Sequence, residues 1–76
     1  MDPEIEFEDF YGLKRVIVRA DLSTSFKEVL RLATEFAREN GREMDEDSGD
    51  LPETDLLAGR RVYRFRLKDE KGEEAN

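Results

Sequence analysis

The chain has 76 residues, enough for one domain whose core leaves a net stability of roughly 3–5 kcal/mol. It contains no cysteine and no histidine, so disulfides, thiolate zinc sites, thiol nucleophiles and the commonest general base are excluded by composition. Its formal charge is −7 with 43% of residues charged, a balance that opposes non-specific binding to DNA or anionic membranes.

The opening Met1-Asp2-Pro3-Glu4 lacks the basic start and apolar run of a secretory signal, and no apolar stretch approaches the roughly 20 residues of a membrane span. A soluble, cytoplasmic protein is the expectation. Arginine outnumbers lysine, and glutamine and tryptophan are missing. That profile fits a thermophile, a salt-adapted organism, a GC-rich genome or an engineered chain.

In chain order, residues 4–10 alternate acidic and apolar, and residues 13–20 alternate basic and apolar. A two-residue turn at Tyr11-Gly12 joins them as a hairpin and sets its register. Phe7 then faces Val16 and Ile5 faces Val18, with Glu8 opposite Arg15 and Glu4 opposite Arg19 on the other side. Only Glu6–Ile17 is neither apolar–apolar nor opposite in charge. Ser25-Phe26-Lys27-Glu28 reads as a capping box opening a helix over 25–40. Phe26, Val29, Leu30, Ala33, Phe36 and Ala37 fall on one helical face, and Asn40-Gly41 supplies the stop.

Residues 42–59 form a long acidic connection, in which 52–58 can make a short helical turn that tucks Leu56 or Leu57 against the core. Residues 60–68 form the last strand, with Tyr63, Phe65 and Leu67 inward and Arg64, Arg66 and Lys68 outward. Residues 69–76 read as a disordered polar tail. The expected fold is a small two-layer ββαβ domain of the α+β class over residues 1–68, its single helix on one face of the sheet. If the last strand lies beside the second, the helix is a right-handed crossover between parallel neighbours. Pairing antiparallel to the first strand is the alternative.

The acidic connection is the first candidate site: Glu43, Asp45, Glu46, Asp47, Asp50, Glu53 and Asp55 would steer a basic surface toward it. It fails as a calcium loop, because an EF-hand counted from Asp45 needs glycine at Asp50 and glutamate at Leu56. Paired carboxylates on an open loop also lack the cleft that acid/base hydrolysis requires. The second candidate is the outer sheet face, where Arg15, Arg19, Arg64, Arg66 and Lys68 form a basic set open to RNA or single-stranded DNA. The Ile17–Val62 spot on that face and an unpaired sheet edge are further docking points for a protein. Phe10 and Tyr11 at the hairpin tip complete the candidates.

Lys27-Glu28-Val29-Leu30-Arg31-Leu32, closed by Glu39-Asn40-Gly41-Arg42, resembles the first helix of ribbon-helix-helix repressors. Arg15-Val16-Ile17-Val18-Arg19 would correspond to their paired strand. The resemblance covers roughly residues 14–42 and implies a dimer with that strand in the major groove. The chain departs from the family in its long strand-to-helix gap, its missing second helix and its final strand.

The expected function is therefore non-enzymatic: a small acidic regulatory protein that binds a basic protein through residues 43–55 and a sheet edge, with no cofactor and no metal. A nucleic-acid module built on the arginine face is the alternative, and an engineered or orphan domain without a selected ligand is the third reading. An edge-strand homodimer is compatible with either.

Overall fold

The computed structural model describes residues 2–49 and 51–68, apart from the Phe10 side chain. Asp50 and the predicted tail, 69–76, lie outside the described residues. The alternating segments form β1, Glu4–Phe10, and β2, Leu13–Asp21, antiparallel in the expected register from Glu4 opposite Arg19 to Phe10 opposite Leu13. Tyr11 and Gly12 make the turn with φ of 52° and 82°. Both central residues of a type I′ hairpin need such left-handed angles, and Tyr11 meets its one at a steric cost that glycine avoids. Asp9 Oδ1 accepts from the Gly12 N–H at 3.1 Å and steadies the turn.

Helix α1 is Phe26–Glu39, with Ser25 and Asn40 as its caps. The Ser25 hydroxyl accepts from the Glu28 N–H at 3.2 Å, half of the expected capping box. The Glu28 carboxylate turns instead to Arg31, whose guanidinium holds it below the usual carboxylate range. At the far end Gly41, at φ 71°, closes a Schellman motif: Arg42 N–H donates to Ala37 and Gly41 N–H to Arg38. Val29, Ala33 and Ala37 are the buried stripe, and the two alanines let the helix axis approach the sheet closely. Phe36 then packs on Phe7 of β1, ring centroids 4.8 Å apart, while Phe26 lies against Tyr63 and Phe65.

Beyond the helix the chain departs from the predicted ββαβ order. Residues 43–45 run along the end of β4 and add Met44 to the core beside the helix. Met44 is buried and bridges to Leu67, Lys68 N–H donates to Glu43, and Asp45 N–H donates to Arg66. Asp45 caps a 3-10 turn, Glu46–Ser48. Ser48 Oγ accepts from the Arg66 N–H and donates to the Asp45 carbonyl, both at 2.7 Å. Gly49 passes so close to Phe65 that a Cβ there would stand 2.9 Å from the ring.

The predicted helical turn in 52–58 is instead an additional short strand. β3, Glu53–Asp55, pairs antiparallel with β4, Arg60–Arg66, through a turn that Gly59 closes at φ 68°. Asp55 Oδ1 accepts from the Ala58 N–H at 3.2 Å, which holds the turn as a hairpin loop. Leu56 and Leu57 are consequently thrown outward rather than tucked into the core.

The sheet is a single four-stranded one in the order β1-β2-β4-β3, antiparallel throughout. The last strand does lie beside β2, yet neither expected arrangement holds: it is not parallel to β2 and not paired with β1. The connection runs back along the sheet edge before β4 begins, so β4 starts where β2 ends, with Arg60 opposite Asp21. This also removes the ribbon-helix-helix arrangement, because β2 is hydrogen-bonded on both sides within its own sheet. The core comprises Val16, Val18 and Ala20 of β2, the helix stripe, Met44, Tyr63, Phe65 and Leu67, with Ile5, Phe7, Leu30 and Phe36 at its margin.

Asparagine tolerates the left-handed turn position better than tyrosine. Tyr11→Asn is expected to raise unfolding stability by about 0.5–1 kcal/mol, read from urea denaturation.

Candidate functional site

The outer face of the sheet brings together the five basic residues marked in the sequence, and brings their carboxylates with them. Glu8 Oε1 accepts from Arg15 at 2.6 Å and from Arg64 Nε at 3.3 Å, and Arg64 also pairs with Glu53. One chain of ion pairs thus runs from β2 to β1, across to β4 and on to β3. The hydrogen bond to Glu53 is the main reason the Arg64 guanidinium is held above its usual range. Arg19 pairs with Glu6 at 2.8 Å, Glu4 with Arg60 at 3.1 Å, and Lys68 with Glu43 at 3.5 Å. The backbone register is as the turn dictates, but Arg19 reaches the diagonal Glu6 rather than the opposed Glu4, as long side chains on twisted strands can. Of the five, Arg66 has no carboxylate partner among the described residues.

Ile17 lies at the centre of this face. It sits opposite Glu6 on one side and Arg64 on the other, and Glu8 and Arg64 join across the strand that carries it. It is 1% exposed although it points away from the helix. The Ile17–Val62 docking spot is corrected accordingly, since the stems of the surrounding glutamates and arginines cover Ile17. Val62 alone remains partly open.

The acidic segment divides by role. Asp45 and Asp55 cap local turns, Glu43 and Glu53 are ion-paired, and Glu46 and Asp47 are exposed with no ion partner among the described residues. Asp50 lies outside them. Among the described residues no group of three or more carboxylates converges as metal ligands.

Beside these acids lies apolar surface that sequence reasoning missed. Leu51 is 93% exposed, Leu56 79% and Leu57 fully so. Leu56 and Leu57 line an open groove of about 520 Å³ together with Glu53, Thr54, Asp55 and Val62. The only available sequence signals were Gly59 and the Asp55–Ala58 spacing of a capped turn, because Glu53-Thr54-Asp55 shows no apolar alternation. At the other end of the sheet Tyr11 is exposed on the hairpin tip.

No protein-family model matches the chain, and no curated protein or solved structure matches it.

The burial of Ile17 carries its own test. Ile17→Ala is expected to destabilise the fold by about 2–4 kcal/mol, as for a core residue. Val62→Ala on the same face should cost less than about 1 kcal/mol, both measured by chemical denaturation.

Proposed function

We propose that the protein is a non-enzymatic binding protein of a regulatory kind, which engages a basic protein surface through residues 43–55 and the adjoining sheet edge. The observation that carries this reading is the exposure of Leu51, Leu56 and Leu57 on either side of edge strand β3, in the connection that also holds Glu46 and Asp47, acids with no ion partner among the described residues. A single exposed leucine is ordinary, but Leu56 and Leu57 together line a groove and Leu51 is exposed at the other end of β3, which supplies the apolar part of a docking surface. The acids around it supply a rim that speeds encounter with a cationic partner and rejects anionic ones. Nothing in this arrangement calls for catalysis, since its carboxylates stand on an open edge rather than in a cleft. A cytoplasmic location belongs to the same proposal and is consistent with a cysteine-free composition.

The arginine face gives the nucleic-acid alternative little support. Arg15, Arg19, Arg64 and Lys68 are each engaged by a glutamate, so the charge that phosphates would need is already compensated.

Affinity capture from lysate of the source cells, followed by crosslinking, tests the proposal. Leu51→Ser/Leu56→Ser/Leu57→Ser should lose the captured partner without loss of fold, because these side chains lie outside the core. Glu46→Gln/Asp47→Asn should weaken capture mainly at low salt. A partner retained equally by both variants would sink the reading.

A further inference from the structure

We propose that the partner enters as an extended segment added to the free side of β3, with basic residues beside Glu53 and Asp55 and an apolar residue beside Thr54. This rests on the reading of residues 43–55 as the docking surface. β3 is the last strand of the sheet, paired on one side only, and Glu53, Thr54 and Asp55 are all exposed. The helix packs over β2 and meets β4 through Phe26, and among the described residues nothing buries the three side chains of β3. A bare edge of this kind is a template for another chain, since its outward N–H and C=O groups take a new strand without rearrangement.

Side-chain alternation then specifies what that strand carries. Glu53 and Asp55 pair with Val62 and Arg60 and share the outer face, while Thr54 lies on the helix face. A strand added in register continues this period of two, so its outer positions meet carboxylates and the position between them meets a hydroxyl and methyl. Leu51 precedes the strand and Leu56 and Leu57 follow it, which provides apolar contact at both ends.

Charge selects the occupant. A second copy of the chain would bring two acidic 43–55 segments together. The chain's own residues 69–76 hold Asp69, Glu70, Glu73 and Glu74 against Lys71, the wrong sign for this edge. The opposite edge, β1, is longer, but its Glu4, Glu6 and Glu8 are each matched by an arginine. Glu53 is held by Arg64, whereas Asp55, Glu46 and Asp47, all on the β3 side of β4, have no ion partner among the described residues. With only three residues to pair, the strand contributes few backbone hydrogen bonds, so the encounter is a transient one.

The probe is an eight-residue peptide of alternating lysine and valine, titrated into the full isotope-labelled chain while amide shifts and hydrogen exchange are followed. The expected result is shifted amides at Glu53, Thr54 and Asp55, with new protection at Thr54, whose N–H points away from β4. Binding should weaken at least about tenfold for a peptide of equal composition with lysines and valines in pairs. It should weaken as much when every second residue is N-methylated in the phase that faces β3. Equal binding by the paired-order peptide, or by peptides N-methylated in either phase, overturns strand addition but leaves side-chain docking at the leucines intact. Shifts confined to Glu4–Phe10 overturn the choice of edge. If the alternating peptide does not bind while a captured partner still depends on Leu51, Leu56 and Leu57, strand addition fails and the docking surface survives. Loss of both dependences overturns the two readings together.

Discussion

Every other element of this protein depends on satisfying β2. It is hydrogen-bonded to β1 on one side and β4 on the other, and the helix packs across its Val16-Val18-Ala20 face. A central strand has two faces to shield, and among the described residues there is a single long helix to spend on them. The second face is therefore covered by side chains alone. Ile17 is removed from water by the glutamates and arginines around it, whose aliphatic stems lie over the strand while their charged ends pair above it. The high charge content of the sequence is in part the material of this cover.

That use of charge shapes the surface that remains. Pairing with Glu4, Glu6, Glu8, Glu43 and Glu53 consumes most of the cations on the outer face, so a face that reads as basic in sequence is nearly balanced in space. The excess acid is left on the segment between helix and last strand. Apolar side chains excluded from the core emerge beside it, because the β3–β4 turn directs Leu56 and Leu57 outward. The charge left on the surface is thus a consequence of which charges the protein's own sheet neutralises.

The connection itself is less loop-like than its composition suggests. Its first half is packed: Met44 enters the core, Ser48 ties Asp45 to Arg66, and Gly49 is small because Phe65 lies against it. Its second half becomes the edge strand. Acidic residues within it serve two different ends, some capping turns and pairing with β4, others facing solvent. Composition cannot separate these roles, since an aspartate that caps a turn and one that faces solvent are chemically the same.

What the amino-acid sequence determined by itself was everything with a local period or a local stop. The hairpin register follows from alternation counted back from the Tyr11-Gly12 turn, and the helix bounds follow from Ser25 and Asn40-Gly41 around a 3.6-residue apolar stripe. The inward facing of Tyr63, Phe65 and Leu67 was legible for the same reason. The antiparallel placement of β4 beside β2, the existence of β3, the diagonal partners of Arg19 and Glu4, and the burial of Ile17 were decided only by the tertiary structure. Each depends on residues far apart in the chain: β3 is a strand because β4 offers it an edge, and Ile17 is dry because Glu8 and Arg64 meet above it. Local periodicity records which way a side chain points, but it holds no record of what arrives from elsewhere to cover it.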